Sequence, residues 1–272
     1  MSSDAPPKRS SDLAVRSVAG IGMVVVAVAT LWSGGIVFWM FCTTLGLLMI
    51  GEWADLHGVP AAQKRLARFA LVVPLAIMAP TPIAAGPGFL ALGLIAAAGF
   101  FIVIITRRPM LAAGAVYIGL PILSLLLIRH QKEGVVFTLW ALALVWACDI
   151  GAYFAGRTIG GPKLAPAISP NKTWAGLIGG VVAASAFGAL MHSACGLPWR
   201  LTLATPVLAV LAQGGDLFES WLKRQAGVKD SGNILPGHGG ILDRLDGLVP
   251  VAPVAALLVV LPSLITLPKI LP

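Results

Sequence analysis

A chain of 272 residues that is 58% hydrophobic and only 11% charged, with a mean hydropathy of +0.91, is no ordinary soluble domain, where about a quarter of residues are charged. The formal net charge of +8 would point to nucleic acid in a soluble protein, but here the nineteen Lys and Arg are read loop by loop, as topology signals, and no nucleic-acid partner is expected. What remains is an all-α, polytopic integral membrane protein, held in a lipid bilayer with little mass outside it.

A polar cytoplasmic tail, 1–14, precedes an apolar run over 15–31 that continues without a convincing cleavage site, so it is read as a span and not as a cleaved signal. Spans need about 20 apolar residues, and such runs predict nine helices: 15–32, 35–51, 69–86, 88–105, 110–128, 134–156, 174–195, 201–221 and 247–268. They form a single membrane domain, 1–272, with plain helices over 15–133 and with helices and cytoplasmic loops carrying the polar motifs over 134–268. Placing the N-terminus inside leaves only Arg129, Lys132, Arg200 and Lys269 outside, so the positive-inside bias favours this orientation. Pro74, Pro80, Pro82 and Pro87 make the third and fourth spans the least regular.

Two predicted helices carry carboxylates at depth. Asp149 lies in LWALALVWACDIGAYF and Asp216 in VLAVLAQGGDLFES, where a lone charge costs roughly 2.5–3.5 kcal/mol on insertion scales. Asp216, Glu219, Ser220 and Lys223 fall at i, i+3, i+4 and i+7, one face of a helix leading into the polar stretch 220–246, SWLKRQAGVKDSGNILPGHGGILDRLD. Asp243 and Asp246 are three apart at the start of the last span and can point to one side. Carboxylates gathered beside Lys and Arg suit a hard divalent cation bound with phosphates, since Mg²⁺ takes one or two carboxylates plus substrate oxygens. The residues alone thus point to Mg²⁺-assisted phosphate chemistry at the inner membrane face.

The run S-W-L-K-R-x4-K-D-S-G-x2-L-P-G-H-G-G-I-L-D-R-L-D resembles the signature of the phosphatidate cytidylyltransferase (CDP-diacylglycerol synthase) family. GEWADL at 51–56, CDIGAYFAGRTIG from Cys148, KLAPAISPNKTWAG from Lys163 and GGDLFES from Gly214 agree in order, and the strong similarity covers about 145–250. The resemblance implies transfer of the cytidylyl group of CTP to phosphatidate, giving CDP-diacylglycerol and pyrophosphate in phospholipid biosynthesis, in a bacterial inner membrane, with a homodimer as the family's assembly. It implies metal binding at Asp216 and Asp243, with Asp246 as an auxiliary acid for the same Mg²⁺ or for a second cation, K⁺ or Mg²⁺. Lys223, Arg224, Lys229, Arg244 and Lys172 are candidates for phosphate contacts, Ser169, Thr173 and Ser220 for hydrogen bonds to phosphate, and Asp149 for orienting a base or the ion.

Plainer roles compete for the same residues. Asp216 could pair with Lys223, Asp149 with Arg157, and Glu219 and Asp230 with adjacent bases. His238, flanked by glycines, fits a turn-fixing hydrogen bond as well as substrate contact. Cys42, Cys148 and Cys195 form no metal or redox pair, and the small residues from Gly176 to Gly180 read as a helix-packing face. A CTP-dependent polyprenol or phytol kinase is the alternative enzyme, and a cation-coupled transporter using Asp149 and Asp216 the alternative class. Asp246-Gly247 followed by LVP lacks the D-G-x2-A-R spacing of CDP-alcohol phosphotransferases.

Overall fold

The computed structural model describes residues 9–234 and 239–266. Among these the chain forms α1 (Arg9–Ser33), α2 (Gly35–Leu56), α3 (Ala61–Ile77), α4 (Phe89–Thr106), α5 (Pro109–Arg129), α6 (Gly134–Thr158), β1 (Lys163–Ala165), β2 (Ser169–Thr173), α7 (Trp174–Cys195), α8 (Trp199–Gln225), α9 (Leu242–Leu245) and α10 (Leu248–Thr266). An apolar stretch deprived of water must satisfy its backbone internally, and the helix does so within one segment. By length and composition α2, α4, α5, α6, α7 and α8 are able to cross a membrane, while the apolar stretches of α1 and α10 are shorter.

The predicted third span, 69–86, is displaced. The helix runs over Ala61–Ile77, starting directly after Pro60 and ending before Pro80, Pro82 and Pro87. Hydropathy followed the greasy residues past Pro80 and Pro82, whereas the helix keeps Pro74 inside it, ends at Ile77 ahead of those two prolines and takes Lys64, Arg65 and Arg68 into its first turns. The loop before α7 also folds more than expected, as an antiparallel hairpin with Lys163 opposite Thr173 and Ala165 opposite Ser169.

Packing depends on small residues. At Gly151 of α6 a Cβ would lie 2.4 Å from the Ala183 Cβ, and at Gly179 of α7 only 2.2 Å from the Ala155 Cβ, so these two helices touch along their backbones. The predicted packing face at Gly176 and Gly180 lies in this seam, against Gly156 and Cys148. Trp53 and Trp140 are fully buried and their indoles still find acceptors, Nε1 donating to Met110 O at 2.8 Å and to Thr205 Oγ1 at 3.0 Å. Phe100, Phe101, Ile104 and Ile105 of α4 face outward, as lipid-facing residues do.

Candidate active site

The later parts of α2, α6 and α8, the start of α7 and the segment before α10 gather at one end of the bundle. Close approach of α8 to the α10 segment requires Gly215, where a Cβ would stand 2.3 Å from the Asp246 carbonyl oxygen. That contact sets Asp216, the next residue, beside Asp246.

The first polar group runs between the hairpin, α8 and α6. Lys172 Nζ lies 2.6 Å from Asp216 Oδ2 and donates to Gln213 Oε1 at 3.2 Å. Gln213 Nε2 in turn donates to Asp149 Oδ1 at 3.3 Å. An amide alone among neutral side chains offers both a carbonyl acceptor and two N–H donors, so this buried glutamine joins a cation to a carboxylate. One turn further along α8, Ser220 Oγ donates to Asp216 Oδ1 at 3.3 Å. Thr173 Oγ1 accepts from the Gly176 amide at 3.0 Å, capping α7 and fixing where the Lys172 strand enters it.

The second group surrounds Asp243, whose side chain is 4% exposed. Lys223 Nζ stands 2.5 Å from Oδ1, while Oδ2 accepts from the Ser231 amide at 2.8 Å, the Ser231 hydroxyl at 2.9 Å and the Gly240 amide at 2.8 Å. Burial alone would raise the Asp243 carboxyl, yet the donors gathered on it, Lys223 foremost, hold it down at about 2. Glu219, fully buried, has Oε1 3.3 Å from the same Lys223 Nζ. The helical stripe 216, 219, 220 and 223 is therefore real, but it splits: Asp216 pairs with Lys172, and Lys223 bridges Glu219 to Asp243.

Asp246 belongs electrostatically to the first group. Burial, and next the negative charge of Asp216, push its carboxyl up to about 7, with Asp149 adding to the effect and the Gly247 amide, donating at 2.7 Å, opposing it.

Two cavities flank these acids. One, of about 660 Å³, is lined by Asp149, Tyr153, Arg157, Lys172, Gln213 and Asp216. Arg157 Nη1 donates to Tyr153 Oη at 2.8 Å on its wall. The other, of about 620 Å³, has apolar walls from α1, α2 and α6, including Met23, Ala27, Phe41, Leu45 and Trp146, and a charged end formed by Asp149, Asp243, Arg244 and Asp246. Asp149 borders both.

Among the described residues no three His, Cys, Asp or Glu side chains stand close enough to hold an ion by themselves. The donors at hand are hard carboxylate oxygens, which suits a magnesium ion that completes its shell with water and phosphate.

Of the other sequence-predicted residues, Arg224 is exposed with Nε 3.4 Å from the Ile168 carbonyl, Lys229 is exposed after α8, and Ser169 sits half-buried in β2. His238 lies outside the described residues. Asp149 contacts Gln213, and Arg157, its alternative partner from the sequence, donates to Tyr153. Sequence reasoning missed Gln213, Ser231 and the structural reach of Glu52. The only signals were a polar amide inside VLAVLAQGGD and an acid closing the apolar α2 run.

Residues 14–261 match the model of the Cytidylyltransferase family. The chain is 42% identical over 250 residues to a phosphatidate cytidylyltransferase of Brucella suis biovar 1 (strain 1330), covering 89% of this chain and 91% of that one. A protein of the same name from Staphylococcus epidermidis (strain ATCC 35984) is 32% identical over 259 residues, covering 90% and 98%. Another from Bacillus subtilis (strain 168) is 46% identical over 143 residues, covering 51% and 53%.

Proposed function

From the premise that this chain belongs to the cytidylyltransferase family and is a nucleotidyltransferase, we propose that it transfers the cytidylyl group of CTP to phosphatidate at the cytoplasmic face of a bacterial inner membrane. The products are CDP-diacylglycerol and pyrophosphate. The observation that carries this reading is the pair of unlike cavities meeting at Asp149: a polar one edged by Lys172 and Arg157, and an apolar one ending in Arg244 and Asp246. A water-soluble nucleotide and a lipid phosphate need that combination, and an ion pathway does not.

The lipid phosphate is the nucleophile. A phosphate monoester is already ionised near neutral pH, so no strong protein base is required. It attacks the α-phosphorus of CTP in line: the new P–O bond forms as the bond to pyrophosphate breaks, and the electron pair leaves with pyrophosphate. What the protein supplies is alignment and compensation of charge. Lys172 neutralises triphosphate oxygens from the polar cavity, held at the right height by Gln213 and the hairpin. Arg244, at the mouth of the apolar cavity, takes the phosphatidate headgroup while the acyl chains lie against Phe41, Leu45 and Trp146.

Asp216, Asp243 and Asp246 would hold magnesium only together with water and substrate phosphate oxygens, since the three do not stand close enough to hold one ion by themselves, and the metal would supply further neutralisation of the phosphates. Of the Asp243 oxygens, Oδ1, which faces Lys223, would be the one to hold the metal, because Oδ2 already accepts from Ser231 and Gly240; Lys223 would then serve an incoming phosphate. Ser220 keeps Asp216 turned toward the cavity. Arg224, exposed at the end of α8, and Lys229, exposed just after it, attract anionic substrate from solution.

The test is product identity. Purified protein given radiolabelled CTP with phosphatidate or with an isoprenoid alcohol should yield labelled CDP-diacylglycerol and pyrophosphate only from the first. Phosphorylated alcohol with release of CDP would establish the kinase chemistry instead.

A further inference from the structure

We propose that Glu52, far from the motif in sequence, is a positioning residue that sets the Asp243 carboxylate for cytidylyl transfer; the inference rests on the functional reading above. Glu52 lies near the end of α2 and is 3% exposed. Its Oε1 accepts from the Ile241 amide at 2.9 Å, and its Oε2 from the Leu242 amide at 2.8 Å and the Ser231 hydroxyl at 3.2 Å. Those amides open α9 and have no helical acceptor of their own, so an acid from a distant helix satisfies them.

Ser231 links the two acids. Its hydroxyl lies between Glu52 Oε2 and Asp243 Oδ2, and its amide also donates to Asp243. A hydroxyl has one proton to donate, so the distance and charge of one carboxylate govern how tightly the other is held. Asp243 itself sits one residue beyond Leu242, so fixing the Ile241 and Leu242 amides fixes the backbone from which the carboxylate projects.

The neighbouring glycines fit this role. At Gly232 a Cβ would stand 2.7 Å from Glu52 Oε1, and at Gly240 it would stand 2.6 Å from Glu52 Oε2 and 2.1 Å from Ser231 Oγ. The motif backbone wraps the Glu52 carboxylate with no room for side chains. Glu52→Gln keeps the shape but turns an NH₂ toward an amide N–H, replacing one attraction by a repulsion.

The experiment uses the full chain in lipid nanodiscs and compares wild type, Glu52→Gln, Ser231→Ala and the double variant. Three quantities are measured: kcat with CTP and phosphatidate, KM for CTP, and amide deuterium exchange over 239–245. Glu52→Gln should lower kcat about 10- to 100-fold, as loss of an orienting partner does, with KM for CTP within about threefold. Exchange at Ile241 and Leu242 should quicken at least about tenfold, and the double variant should be little worse than Glu52→Gln alone, because both act through one carboxylate. Wild-type turnover by Glu52→Gln, or strictly multiplicative losses in the double variant, would overturn the proposal. Should Glu52→Gln not fold, Gly240→Ala probes the same socket from the loop side, and unchanged kcat there would overturn it equally. Absence of CDP-diacylglycerol synthesis by wild type would instead sink the functional reading, and the exchange measurement would still decide whether Glu52 holds this segment.

Discussion

Lys172, the penultimate residue of the hairpin's second strand, reaches Asp216 of α8 at 2.6 Å, so a cation from a loop and an acid from a span meet on the wall of the polar cavity. Each compensates a charge that would be costly alone at the membrane boundary. In the proposed reaction an incoming triphosphate would take Lys172 from this pair, and Asp216 would then be available to a cation.

Replacing Lys172 by Met should therefore do two things. It removes a charge-assisted contact to the triphosphate, of about 1.5–3 kcal/mol, so kcat/KM for CTP should fall roughly 10- to 100-fold. It also frees Gln213 from its acceptor role. Steady-state kinetics at several CTP concentrations check this, and an unchanged kcat/KM would place the nucleotide elsewhere.

Asp246 predicts a pH dependence. Its folded value near 7 lies above the unfolded value near 4, so the folded state keeps a proton the unfolded state has lost. Stability of the metal-free protein should fall as pH rises from about 4 to about 7 and level off above. A cation relieves the burial and repulsion that cause the shift, so magnesium should raise Tm more at pH 8 than at pH 6. Asp246→Asn should remove most of that difference, as read by thermal unfolding in detergent.

The apolar cavity makes a separate claim. Leu45→Trp fills space between α1, α2 and α6 without touching the polar wall. KM for phosphatidate should rise about tenfold or more, with KM for CTP unchanged, in mixed-micelle assays varying one substrate at a time. Equal effects on both substrates would indicate a general packing defect.

Asp216→Asn and Asp243→Asn should each abolish nucleotide transfer, by about a thousandfold or more, in protein that still elutes as a single detergent-solubilised species. The two should differ in stability. Asp243 is buried and anchors Lys223, Ser231 and Gly240, so its loss should lower Tm, whereas Asp216 is more exposed and is tied to Lys172 and Ser220, so its loss should lower Tm less.

Charges inside apolar runs were legible because the bilayer makes them costly, which is why Asp149, Asp216 and the stripe to Lys223 could be read from spacing alone. The helical, membrane-embedded class followed from composition. Partners were not legible: i, i+7 spacing relates Asp216 to Lys223, but tertiary structure gives Lys223 to Asp243 and brings Lys172 to Asp216 from 44 positions upstream. The roles of Gln213 and Glu52 were not legible, although GEWADL already carried Glu52 in the resemblance, because the partner of a buried amide or acid is known only once the chain has folded against it. The third helix was misplaced because hydropathy registers neither its basic first turns nor its end ahead of Pro80 and Pro82.

The most direct test is a cryo-electron microscopy map of the protein with magnesium and a nonhydrolysable CTP analogue. The account predicts triphosphate density in the polar cavity within hydrogen-bond reach of Lys172, and an ion about 2.1 Å from an Asp216 oxygen. Nucleotide bound away from Lys172, or an ion that leaves Asp216 paired only with lysine, would contradict it.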